Sequence, residues 1–153
     1  MHNSLKLGGK PLNATMEKFG APGTCIRTYQ HWSLLLRPAQ VTLGALVLVA
    51  HEPVTAFSEL SQESFTELHA VTRDVEQSLK NAFAYEKLNY LMLMMVDPDV
   101  HFHVIPRYSG TKEFAGQEFV DPGWPGPPAL DQINETDQAC RSRIKDCVGS
   151  FLV

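Results

Sequence analysis

The chain has 153 residues, 44% of them hydrophobic and 20% charged, with a formal net charge of −4. A chain of this length can bury a core without disulfides, and its hydrophobic content excludes a disordered polymer, so one domain is expected. No two Lys or Arg residues are adjacent, which argues against a groove for a nucleic-acid polymer. The longest apolar stretch, Val41 to Ala50, is about half of a membrane span. Met1 to Lys6 carries no charged-then-apolar leader pattern. Cys25, Cys140 and Cys147 leave one thiol over from any pairing. Reduced thiols in a cytoplasmic protein are the expectation.

In chain order, Asn13 reads as the N-cap of a short helix ending at Phe19, with Gly20 as its stop and Pro22-Gly23 as a turn. Cys25 to Arg37 reads as a hairpin broken at Gln30-His31, and Gly44 to Ala50 as a buried strand. Phe65, Leu68, Val71, Val75, Leu79 and Ala82 recur at helical steps, predicting a helix from Ser61 to Tyr85. Two strands follow, Leu88 to Val96 and Val100 to Pro106, separated by Asp97-Pro98-Asp99. The first is expected to be central in the sheet, with its methionines as core filler. After Ser109 the chain reads as Gly- and Pro-rich loop through Pro128, then as a helix carrying Leu130, Ile133, Cys140, Ile144, Cys147 and Phe151, its apolar face interrupted by Asp137. Tight links between consecutive strands predict an α+β fold, an antiparallel sheet of about five strands with its helices on one side. The expected division is a lead-in over 1–24, a core over 25–108 and a C-terminal extension over 109–153.

Chemistry concentrates in Asp99-Val-His101-Phe-His103-Val-Ile-Pro-Arg107. On a strand, Asp99, His101 and His103 share one face, with same-face neighbours about 7 Å apart. Two imidazoles at that spacing can reach one phosphate or one metal ion. Three ionisable groups lining one face of an otherwise apolar strand are hard to explain by packing. His31, His51 and His69 lack any such partner pattern.

This stretch resembles the signature of the histidine triad (HIT) superfamily, His-φ-His-φ-His-φ-φ with φ apolar, often followed by Pro-Arg. Gly44-Ala-Leu-Val-Leu-Val49 is similar to the family's Gly-His strand, and the element order over about 25–108 agrees. The resemblance implies a nucleotide hydrolase or transferase. His101 would attack the α-phosphorus to form a nucleotidyl-histidine, and His103 would contact the phosphate and leaving group. It implies no cofactor, a small nucleotide as partner and a homodimer. Asp99 stands where the family has its first His, and would orient His101 or favour its protonated form. Ala45 stands where a His would support that first His. The family's polar donor segment, Gly-Gln or Gly-Ser before the motif, is replaced by the shorter link Asp97-Pro98, which leaves Met94 and Met95 at the ungapped positions. Arg37 is nearest to a position that is often Asn in the family's nucleotide cleft, where it would hold phosphate bidentately; an unpartnered strand-end Arg is the other reading. Arg107 matches the family's Pro-Arg and would lie near bound phosphates, or else simply end the strand. Asn89 opens the preceding strand as a cap or a ligand contact, and Trp124 either closes over a cleft or packs the tail onto the body. Two further readings stay open. One is a nucleotide-binding module with little turnover, the other a metal site in which Asp99, His101 and His103 are ligands.

Overall fold

Two short strands, β1 (Lys6–Leu7) and β2 (Lys10–Pro11), begin the described part of the chain, residues 6–152 of a computed structural model. Met1 to Leu5, where the sequence is expected to carry no leader pattern, lie outside the described residues. Helix α1 (Ala14–Lys18) starts where the sequence predicts, because the Asn13 side chain accepts from Met16 N at 2.9 Å. Strands β3 (Cys25–Thr28) and β4 (Trp32–Leu36) form the expected hairpin, and β5 (Leu46–Ala50) pairs antiparallel with β4. Helix α2 (Gln62–Phe83) is capped by Ser61, whose side chain accepts from Ser64 N, and Ala84 in the left-handed region ends it before Tyr85. The remaining elements are β6 (Lys87–Leu91), β7 (His101–Arg107), β8 (Lys112–Phe114), β9 (Gln117–Phe119) and α3 (Gln138–Ser150).

The main sheet is antiparallel, with order β3-β4-β5-β7-β6. Its two faces are covered differently. Trp32, Leu34, Leu36, Leu46, Leu48 and Val104 meet the α2 face formed by Val71, Val75, Leu79 and Phe83. On the opposite face Leu35, Val47 and Val49 pack against Met16 and Phe19, at the C-terminal end of α1. The expectation of helices on one side holds for α2 and α3, which contact each other. Helix α1 takes the other side. Gly44 must be glycine: its φ is +86°, and a Cβ there would lie 2.8 Å from the Phe83 ring.

Three local expectations need correction. The apolar run from Leu88 makes an edge strand rather than a central one, and it stops at Leu91 rather than Val96. Met94 at φ +52° cannot extend a strand, and apolar content alone does not encode that bend. Met92 and Met94 still pack on the core, but Met95 is 85% exposed. The expected loop after Ser109 contains the β8–β9 hairpin, turned by Ala115-Gly116. Finally, Asp137 does not interrupt a helix. It starts one, accepting from Cys140 N at 2.7 Å, which leaves Leu130 and Ile133 outside α3. No helix of the described residues is long and apolar enough to cross a membrane.

Candidate active site

Strand β7 alternates strictly. Phe102 and Val104 join the α2-side core, while His101 and His103 turn to the α1 side. Their rings stand 5.2 Å apart, centroid to centroid, in an edge-to-face arrangement. Across the ladder Val49 lies opposite His101 and Val47 opposite His103, so an apolar floor supports both rings. Phe19 covers them from α1, at 6.2 Å from His101 and 5.6 Å from His103. On the other flank Leu91 is the last residue of β6 and pairs with His103. His101 therefore has no ladder neighbour on that side. The gap opens into a cavity of about 230 Å³ that both histidines line together with Arg37, Lys18 and the 93–97 segment.

The hydrogen bonds decide what each group can do. His101 Nδ1 lies 2.7 Å from the backbone oxygen of Asp99. A carbonyl only accepts, so Nδ1 carries a proton, and in the neutral ring the lone pair is on Nε2. That is the tautomer of a nucleophile. His103 is held well below the usual imidazole range, at about 4, by burial first and then by Arg37 and His101. It is neutral at pH 7, and its Nδ1 is buried without a partner. Arg37 spends one guanidinium nitrogen on Ala39 O at 2.8 Å, while its Nε is buried and unpartnered. Burial lowers the Arg37 pKa, yet the group stays charged. Gln40 sets the loop behind it: its amide donates to Arg37 O and Ala45 O and accepts from Gly44 N.

The other sequence candidates separate from this cavity. Asp99 sits just before β7 and reaches His101 through its backbone only. Its carboxylate accepts from Thr15 N at 3.2 Å and Thr15 Oγ1 at 2.9 Å, tying α1 to the start of the motif. Asp99, His101 and His103 do not converge as three ligands, and among the described residues no such metal-binding group forms. Arg107 lies about 13 Å along the strand from His103. It is locked in a bidentate pair with buried Asp121, at 2.7 and 3.1 Å, and it donates to Asn89 at 2.8 Å. Arg107 and Asn89 line a second cavity, of about 380 Å³, with Lys87 and Trp124.

The HIT domain model matches residues 26–110, more than half of the chain. The chain belongs to the HIT family. HIT proteins are in general nucleotide-binding hydrolases or transferases, and this is a protein of that kind. Its fold is similar to histidine triad proteins from Sinorhizobium meliloti (TM-score 0.74, 23% identity, 94% of this chain and 97% of that one) and Bradyrhizobium japonicum (0.74, 18%, 94% and 98%). A histidine triad protein from Marinobacter aquaeolei is also similar (0.70, 21%, 89% and 93%). No curated protein matches the chain by sequence.

Two departures from the HIT pattern have physical counterparts. Ala45 is fully buried in a small apolar cluster with Val41 and Ile105, with Leu130 of the C-terminal segment packed against it. A His there would be an unpartnered polar group in an apolar setting. Asp99 serves as a strut to α1. Sequence reasoning missed Lys18 and Phe19 as site residues, because a short capped helix carries no local sign of the layer it will cover. Phe19, one residue before the helix-stopping Gly20, is the only available hint.

Proposed function

We propose that the chain is a nucleotide hydrolase or nucleotidyl transferase acting at an α-phosphate through a covalent nucleotidyl-His101 intermediate. One observation carries this reading. A single cavity combines the His101 imidazole, its lone pair on Nε2, with two residues that each bury a nitrogen lacking a partner, Arg37 at Nε and His103 at Nδ1. Buried polar groups are normally satisfied, and an anionic phosphate accepts from the Arg37 guanidinium and from whichever His103 ring nitrogen carries the proton.

In the first half-reaction Nε2 bonds to phosphorus as the bond to the leaving group breaks. Positive charge then develops on the ring, and the Nδ1–H bond to Asp99 O strengthens as it does so. Arg37 offsets the charge on the phosphoryl oxygens, and His103 hydrogen-bonds the leaving atom. In the second half water attacks phosphorus, the P–N bond breaks and His101 returns to its starting tautomer. The leaving group takes its proton from solvent, the attacking water returns one to solvent as it bonds to phosphorus, and the neutral His103 ring only hydrogen-bonds the departing atom, so protons balance over the two halves. An alcohol or phosphate acceptor in place of water makes the same step a transfer.

Quenching the reaction with an adenosine 5′-phosphoramidate and digesting the protein tests this. The adduct is expected by mass spectrometry on the peptide containing His101, and undiminished turnover by His101→Ala would overturn the reading. A second reading, a nucleotide-binding module without turnover, is favoured by the lack of any side-chain donor over Met92 to Val96. It predicts no turnover by either protein while nucleotide still raises the Tm. A homodimer belongs to the same proposal. Strand β6 pairs only with β7 among the described residues, leaving a sheet edge for a second copy. A monomer mass in sedimentation equilibrium would contradict it.

A further inference from the structure

Segment 93–96 forms one wall of the histidine cavity, and its exposure is unusual. Met95 is 85% and Val96 81% exposed, the two most exposed large apolar side chains among the described residues, and Leu93 is 48% exposed. This is a held conformation. Met92 and Met94 anchor the segment to the α2-side core, and Met94 adopts φ +52°, a backbone state that costs free energy unless its surroundings fix it. The core-facing methionines thus present Leu93, Met95 and Val96 outward at the mouth of the site. Methionine is adaptable and polarizable, and suits apolar ligands of variable shape. The charge pattern points the same way. Cationic Arg37 and the two histidines line the cavity with this segment, but the next residue is Asp97, its carboxylate 3.0 Å from Lys18 Nζ. A chain of further phosphates running over 93–97 would meet methyl and thioether groups and then a carboxylate that already occupies the nearby lysine.

We infer that the 93–96 segment is an apolar subsite, and that the ligand is a phosphate ester or amide whose substituent on this side is an apolar organic group rather than a further phosphate. The inference deepens the proposed function and names the substrate class of the same site. Its test is therefore a binding measurement that needs no turnover. Calorimetric titration of the wild-type protein with phenyl phosphate, inorganic phosphate and pyrophosphate is expected to rank phenyl phosphate at least tenfold tighter than either of the others. In Met95→Ser with Val96→Ser, two exposed positions whose exchange is expected to leave the circular dichroism and Tm unchanged, the advantage is expected to fall to within about threefold. Pyrophosphate binding as tightly as phenyl phosphate, or a preference unchanged in the double variant, would overturn the subsite. If the nucleotidyl-His101 reading alone is wrong, no phosphoramidate is turned over while the aryl preference and its loss in the double variant persist.

Discussion

The inner face of β7 carries polar groups at both ends, and the ends differ in how fully their hydrogen-bonding capacity is used. At one end Arg107 is 4% exposed and saturates buried Asp121 through two bonds while also donating to Asn89. Asp121 closes the arrangement by accepting from Tyr108 N. At the other end His103 and Arg37 each bury a nitrogen with no partner, and His101 holds a free lone pair. A satisfied buried network rigidifies a fold, and an unsatisfied one stores binding capacity. The same strand therefore fastens the C-terminal segment at one end and keeps a reactive cavity at the other.

The largest expected effect lies at the histidine end. His101→Ala should lower kcat by about 10⁴-fold or more while circular dichroism stays native. Retained turnover would mean that the open end is not the reactive one. At the other end Arg107→Ala leaves the Asp121 carboxylate buried and unpaired, at a cost of about 3–5 kcal/mol. Urea denaturation should register that loss, and Arg107→Met combined with Asp121→Leu should recover much of it. If Arg107→Ala instead kept its stability and raised KM more than tenfold, the two ends would not differ in kind.

This difference was only half legible in the sequence. The alternation that puts His101 and His103 on one face is a local property of a strand, so it survives without any tertiary knowledge. Arg107 continues the same alternation and looks equally functional. What separates it is Asp121, 14 residues on in an irregular loop, and no short-range pattern encodes that choice of partner. Asp99 fails to reveal itself for the same reason, since its carboxylate answers to Thr15, 84 residues away. The end of β6 was hidden differently. Leu88 to Val96 is uniformly apolar apart from Asn89 and Tyr90, and burial on one face or exposure beside a site draw on the same residue types.

A smaller effect should sharpen the contrast from the open end. Arg37→Gln removes the charge near His103 and keeps much of the length, so KM for a nucleotide substrate should rise about 10- to 100-fold. Thermal stability should change little or rise slightly, because a buried group with an unmet donor is being removed. A Tm loss of the size seen for Arg107→Ala would show that Arg37 is fastening the fold after all.

The smallest effect is a pH dependence that only the open end produces. His103 titrates at about 4 in the folded protein, depressed chiefly by burial, against about 6.5 when unfolded. Between those values the unfolded chain binds the extra proton, so folding stability contributed by this site is full above pH 6.5 and is lost as pH falls toward 4. Burial lowers the His51 pKa as well, with the same sign, so the wild-type slope is not His103's alone. His103→Gln isolates its share: the stability difference between pH 7 and pH 4.5 should shrink by about 1–2 kcal/mol. Bound phosphate should reverse the effect. Negative charge beside the ring raises its pKa, so binding at pH 5.5 takes up protons, and calorimetry in two buffers of different ionisation enthalpy reads their number directly. Binding with no proton uptake would place the anion away from this imidazole, and an unchanged slope in His103→Gln would mean that burial does not depress the His103 pKa.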